Sequence, residues 1–321
     1  MNDSRHTPPD SLAAEPSAAR LGKSPRRWLL ATRPAFLLLA AIAAGIGLAS
    51  AARTGEIEWV SAALTLMGAV LFHAAVNVDN DFHDATNGSD AANSERLYPF
   101  TGGSRMIQNG VLDPRQTRRL ARWLFLSSAV IGLVLVAHTG IALLWLSLFG
   151  ALLGWAYSAP PLRLNSRGLG EIVVGAGFGI LMPAGADLVQ SGTVHAPTVA
   201  AGFGFALMAI NLLLLNQFPD ASADRRAGKH HWVVRLGRRR SRGLYALIAI
   251  SAFAAPALWV GIGWLPAATL LTLAALPPTL FAAGRLWRDG EDPRRLGAPI
   301  RANVFATLLY GTAIVVGLSL G

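Results

Sequence analysis

Residues 59–90 read WVSAALTLMGAVLFHAAVNVDNDFHDATNGSD. The first part is apolar for about 20 residues, enough for a helix rising 1.5 Å per residue to cross roughly 30 Å of hydrocarbon. It then runs, with no turn signal between, into Asn77, Asp79, Asn80, Asp81, Asp84 and Asp90. On a helix Asn77 and Asp81 are four residues apart and Asp81 and Asp84 three, so their oxygens share one face. Acids at the end of a membrane helix are costly unless a counter-charge balances them. Oxygen ligands at this spacing suit Mg²⁺, which takes one or two protein carboxylates and completes its shell with phosphate and water.

Outward from this stretch, similar apolar segments recur at 34–52, 122–138, 140–157, 168–189, 196–216, 243–261, 264–283 and 302–320. The pattern predicts an all-α, polytopic membrane protein with nine transmembrane helices. The links His138-Thr139-Gly140 and Gly261-Ile262-Gly263 are short enough to make tight helical hairpins. Composition agrees: 53% of the 321 residues are hydrophobic and 14% charged, against about 25% charged in soluble domains. With no cysteine, disulfides, thiolate metal sites and thiol nucleophiles are excluded.

The net charge of +10 would suggest nucleic acid on a soluble protein, but its distribution argues otherwise. With the N-terminus in the cytoplasm and nine crossings, every one of the 28 Lys and Arg residues except Arg53 falls in a cytoplasmic segment. That is the positive-inside pattern, and one helix more or fewer would scramble it. No nucleic-acid partner is expected; the partner is the bilayer. Residues 1–27, rich in Ala, Ser, Pro and charge, are expected as a disordered cytoplasmic tail, and 28–321 as one transmembrane domain. The sequence leaves the oligomeric state open.

The sixth apolar segment repeats the acidic device. Asn216, Asp220 and Asp224 stand at i, i+4 and i+8, with Pro219 expected to kink or restart the helix. Arg225, Arg226, Gly228, Lys229 and Arg235 follow. Two matched acid clusters on one membrane face, each followed by basic residues, form an arrangement for a polyanion such as diphosphate. Metals bridge carboxylate to phosphate oxygen, and Arg and Lys take the remaining charge. On the same face lie the Gly-rich turn Thr101-Gly102-Gly103-Ser104-Arg105 and the segment Tyr157-Ser-Ala-Pro-Pro-Leu-Arg163; glycine-rich turns present N–H groups to anions.

These motifs resemble the UbiA superfamily of intramembrane prenyltransferases. Asn77-x-x-Asn80-Asp81-x-x-Asp84-x-x-x-Gly88-x-Asp90 is similar to the first Asp-rich motif in the spacing of the 1,4-dihydroxy-2-naphthoate prenyltransferases of menaquinone synthesis. Asp220-x-x-x-Asp224-Arg225-x-x-Gly228-Lys229 is similar to the second, and Tyr157 through Glu171 to the segment linking them. The resemblance implies nine helices in a ring around a central cavity. It implies Mg²⁺ on Asp81, Asp84, Asp220 and Asp224, with Asn77, Asn80 and Asn216 supporting. An isoprenyl diphosphate would be held with help from Arg105, Arg163 and Lys229, and its chain would lie among apolar helix faces. The reaction implied is ionisation of the allylic diphosphate and capture of the cation by an aromatic acceptor, with Tyr157 a candidate for the final proton. The stretch from Pro99 to Gln108 departs from the Gly-Pro-rich form of the naphthoate enzymes, which bears on the acceptor and not on the donor.

Other readings are separable in part. A secondary transporter would place its polar groups near the bilayer midplane in broken helices, whereas these acids gather at helix ends. A CDP-alcohol phosphotransferase would carry one contiguous Asp-rich signature. UbiA chemistry on a non-quinone acceptor, or terpene cyclisation, is not distinguished by the sequence. The remaining polar residues take structural readings: a partner role for Asp79, an ion pair with a loop arginine for Glu171, an interfacial position for Asp187, helix packing for His73, a position turned away from the acids for His83, and loop positions for His230 and His231.

Overall fold

A computed structural model describes residues 14–321. Among the described residues, nine helices are long and apolar enough to span a membrane. They are α1 (Pro34–Ala51), α2 (Trp59–Asn87), α3 (Pro114–Thr139), α4 (Ile141–Ser158), α5 (Gly170–Ser191), α6 (Ala196–Arg226), α7 (Trp232–Gly261), α8 (Ala267–Asp289) and α9 (Gly297–Leu320). Local chemistry sets several boundaries. The Glu58 carboxylate accepts from the N–H groups of Val60 and Ser61 at the start of α2. Asp113 and Gln116 form a reciprocal capping box at the start of α3. Gly88, at φ 83°, ends α2 in the left-handed region that glycine adopts without strain.

Several helices overrun their apolar segments at the acidic end of the bundle. α2 continues to Asn87, α6 to Arg226, and α3, α7 and α9 begin at Pro114, Trp232 and Gly297. These extensions project the polar motifs beyond the apolar spans on rigid helix. α6 passes through Pro219 as one helix rather than restarting. The interruption falls instead at Gly237 in α7, where φ is 78°.

Each helix packs on its neighbours in the chain and α9 packs on α1, closing the circuit. α6 is the most enclosed, with 72% of its apolar window buried. Close helix approaches depend on glycine: a Cβ on Gly202 of α6 would strike the Gly179 carbonyl of α5. Gly179 lies in a π-helical segment, Gly177–Leu181. The outer faces expose Leu126, Leu133, Trp145, Leu152, Leu258 and Phe305, side chains that lipid covers at no cost in hydration.

The central cavity, about 620 Å³, is lined by α1 to α6 and by Arg33 ahead of α1; α7, α8 and α9 pack behind them. The expected tail takes up structure from Ala14 onward. Ala18–Leu21 and Arg26–Ala31 are short helices, and Glu15 binds Arg96 at 2.7 Å. Leu21 of this segment joins Trp28, Leu30 and Ala31, just beyond it, in packing with Met106 and Leu112. Residues 1–13 of the tail lie outside the described residues.

Candidate active site

The acidic ends of α2 and α6 converge. Asp84 of α2 accepts from the Lys229 ammonium at 2.7 Å, and Asp224 of α6 lies 3.5 Å from the same Nζ. Lys229, carried on the link between α6 and α7, therefore ties the two motifs together. Burial alone would discharge it, but the two carboxylates outweigh burial and hold its affinity for the proton well above the usual lysine value. Asp224 also meets His231 Nε2 at 3.2 Å.

The glycine turn closes over the other acids. The Ser104 N–H donates to both Asp81 oxygens, at 3.3 and 3.2 Å. Asp220 accepts from the Asn93 amide at 2.6 Å and from the Gly102 N–H at 3.3 Å. Gly102 and Gly103 have φ of 74° and 75°. A Cβ on Gly103 would stand 2.7 Å from Asp90 Oδ2 and 3.0 Å from Asp81 Oδ1, so the turn lies against the acids only because this residue has no side chain. Arg105, buried, donates to the Asp90 carbonyl, while Gln108 donates to the Asp90 carboxylate at 3.2 Å. Burial first, then the charges of Asp84 and Asp81, push the Asp90 carboxyl up to about 9, against the opposing pull of Lys229 and Arg105.

The asparagines and Tyr157 form the polar end of the cavity wall. Asn77, Asn80, Tyr157 and Asn216 all line it. Asn77 donates to the Thr32 carbonyl at 3.1 Å and Asn80 to Ser158 Oγ at 2.9 Å. The Asn216 oxygen is buried without a donor. Arg163 is not brought to the acids: it is exposed, in a left-handed backbone conformation at φ 43°, beyond the Pro160-Pro161 corner that ends α4.

Other residues depart from their expected places. His231 is buried against Asp224 rather than loose in a loop. Glu171, 0% exposed, accepts from the Trp232 N–H at 2.8 Å; the orphan donor at the start of α7 attracts it in place of a loop arginine. Asp187, one turn from the end of α5, is buried against protein, held by Thr198 and by the His195 N–H and ring. His73 lines the cavity, edge-on to Phe178 at 4.8 Å, with Nδ1 unpartnered. Asp79 does pair structurally, with His83 at 3.5 Å. Sequence reasoning missed Arg33 and Asn93. Arg33 lines the cavity from the residue before α1, and only its position ahead of Pro34 hinted at a special backbone.

The donor set is oxygen-rich and suits a hard cation such as Mg²⁺. Among the described residues no three acidic or imidazole side chains make a ready metal cage. The buried Asn216 oxygen, which has no donor, is a candidate for a further ligand or water contact.

The UbiA prenyltransferase family matches residues 37–305. This chain belongs to that family. The 1,4-dihydroxy-2-naphthoate octaprenyltransferase of Escherichia coli (strain K12) is 30% identical over 311 residues, covering 91% of this chain and 95% of that protein. The enzyme of the same name from Mycobacterium tuberculosis is 29% identical over 301 residues, covering 92% and 97%. Among solved structures, a UbiA homolog from Archaeoglobus fulgidus bound to DMAPP and Mg²⁺ superposes with a TM-score of 0.63 at 17% identity, covering 90% of this chain and 99% of that one. The chain is thus a prenyltransferase with the UbiA membrane fold.

Proposed function

We propose that this UbiA prenyltransferase moves the isoprenyl chain of an allylic prenyl diphosphate onto an aromatic acceptor of the 1,4-dihydroxy-2-naphthoate type, a step of menaquinone synthesis. The observation that carries the reading is the joining of the two acid clusters through Lys229 about one helical turn beyond Asn77, Asn80 and Asn216, the polar end of a mostly apolar cavity. The names of the relatives, which cover nearly the whole chain, support the acceptor.

Asp81, Asp84, Asp220 and Asp224 would hold Mg²⁺, with Asn77, Asn80 and Asn216 steadying the metal shell. When bound, Mg²⁺ supplies Lewis-acid charge that stabilises the departing diphosphate. Lys229 and Arg105 add fixed positive charge where the leaving oxygens gather. The Gly102–Ser104 turn, with its left-handed glycines, covers the acids and keeps water from the allylic cation. The apolar walls of α2 to α5 hold the prenyl chain. Tyr157 faces the cavity and makes no side-chain hydrogen bond among the described residues, so its hydroxyl is free to relay a proton, taking one up as it passes its own on. Arg163 has no part in this arrangement. The acid end is assigned to the cytoplasmic face from the distribution of basic residues.

Purified protein given Mg²⁺, prenyl diphosphates of several lengths and a panel of aromatic acceptors should yield prenylated dihydroxynaphthoate. Asp81→Ala and Asp220→Ala should each lower turnover by about 100-fold or more. Diphosphate release indifferent to both changes would refute the mechanism. A prenylated non-quinone acceptor or a cyclised terpene as main product would refute the acceptor, and a reporter on the 227–231 link found outside the cell would refute the orientation.

A further inference from the structure

The outer faces of α7 and α8 carry matched columns of residues. On α7, Arg239 and Arg240 stand one turn before Gly243, and Leu247 and Ile250 follow it. On α8, Leu280 and Phe281 lead to Gly284, and Trp287 and Arg288 stand one turn beyond. Residues three and four apart share a helix face, and all of these are exposed. The two helices run in opposite directions, since α7 leaves the acid end of the bundle and α8 returns to it. From that end both columns therefore read alike: arginine, then glycine, then large apolar side chains.

The columns are neighbours. Arg242, next to Gly243, donates to the Trp287 carbonyl at 2.6 Å and to Glu291 at 3.1 Å, and its guanidinium lies 5.7 Å over the Trp287 ring. Both glycines thus lie within one turn of the point where the helices touch. Neither serves close packing, because an added Cβ would meet nothing within 4 Å at either position. They leave an open notch in a surface otherwise built of Leu247, Ile250, Leu280 and Phe281. The carboxylates of this corner are already engaged: Glu291 by Arg242, and Asp289 by Arg285 at 2.8 Å and Arg288 at 3.4 Å. No ion pair among the described residues includes Arg239 or Arg240. Trp287, 54% exposed, marks the level of the arginines, since indole rings concentrate where hydrocarbon meets headgroups.

We infer that this face seats one anionic diacyl phospholipid, with its phosphate on Arg239, Arg240 and Arg288 and an acyl chain in the notch at Gly243 and Gly284. The forked donors of arginine match phosphate oxygens, and basic pockets between membrane helices hold anionic headgroups. A soluble anion would use the arginines but has no use for an apolar notch directly beneath them. None of these residues lines the central cavity, so the lipid is a structural partner and not a substrate. Held by both helices, it braces α7 just past its interruption at Gly237.

Full-length protein in neutral detergent tests this with three probes: dioleoyl phosphatidylglycerol, dioleoyl phosphatidylcholine, and glycerol 3-phosphate as a soluble anion. Phosphatidylglycerol should raise the thermal midpoint by several degrees and remain bound as a single copy in native mass spectrometry; the other two should do neither. Arg239→Gln/Arg240→Gln/Arg288→Gln should weaken phosphatidylglycerol binding by about 100-fold, from roughly fivefold per arginine near a lipid surface. Gly243→Leu/Gly284→Leu keeps every arginine and fills the notch. With open space at both positions it should fold, and it should bind the lipid about tenfold or more weakly. Prenyl transfer in detergent without added lipid should be unchanged in both variants. Should the arginine variant fail to fold, the glycine variant decides alone. A glycine variant that holds phosphatidylglycerol as tightly as wild type would leave only a diffuse basic surface and overturn the seat. Equal shifts from the two phospholipids overturn it too, as does a shift that glycerol 3-phosphate reproduces and the arginine variant loses.

Discussion

Lys229 is placed where its loss should be felt twice. It neutralises Asp84 and Asp224, which come from different helices and are themselves buried. Lys229→Met leaves two buried carboxylates facing each other, a defect that costs about 3–5 kcal/mol when a buried ion pair loses one member. The variant should melt at lower temperature in detergent, regain more stability from added Mg²⁺ than wild type does, and turn over about 100-fold more slowly. A variant with normal turnover would remove Lys229 from the diphosphate site. Asp90 gives a separate test by pH. Its carboxyl is pushed up to about 9, from an ordinary value of 3.8. Below that ordinary value the folded and unfolded states are both protonated. As pH rises, the unfolded chain releases the proton first, so the stability Asp90 contributes is lost progressively as pH climbs towards 9. Without divalent cations the thermal midpoint should fall over this window, and Asp90→Asn should flatten the fall. An unchanged slope in that variant would place the titration elsewhere.

At the scale of elements, the tightest constraint is the crossing of α5 and α6. A side chain at Gly202 would enter the backbone of Gly179, and the π segment there leaves little room to retreat. Gly202→Val should therefore cost about 1–3 kcal/mol or more from overpacking, read as a lower thermal midpoint. Gly132→Ala, where an added Cβ meets nothing within 4 Å, should be neutral or better; equal losses at the two positions would discount the close crossing. The helices themselves were legible in the sequence because a membrane span must be long and apolar. Their polar overruns were legible only where the spacing of acids kept a helical period, as in Asn77, Asp81 and Asp84. What was not legible came from chain reversal. Nothing local to Glu15, Arg33 or His231 tells that each folds back onto the site. Glu171 was assigned an arginine partner because charge is visible in a sequence, while an orphan N–H at the start of a distant helix is not. Arg163 erred in the opposite direction: it lies in a matching motif, but the proline corner carries it to the surface.

At the scale of the whole molecule, the cavity is polar at one end and apolar at the other. Its wall on α2 runs from Asn80 down to Thr65, 15 residues or about 22 Å of helix. Asn77, Asn80 and Asn216 mark the polar end, and Leu135, Leu143 and Val189 the apolar end. The length available to a prenyl chain is thus set by the side chains near the far end, several helical turns from the acid clusters. Gly132 of α3 lines that deeper part, and open space lies where its Cβ would be. Gly132→Leu would project into the channel without straining the helix, and leucine favours helix over glycine by about 0.5–1 kcal/mol. Stability should be kept or improved while capacity is reduced. In competition between short and long prenyl diphosphates, the variant should lose about tenfold or more in kcat/KM for the longest donor, an effect of the size that filling a few methylene subsites produces. The shortest donor should lose far less. An equal loss for both would mean that the chain leaves the bundle sideways into lipid before it reaches Gly132, and that the enclosed part of the cavity is not what measures it.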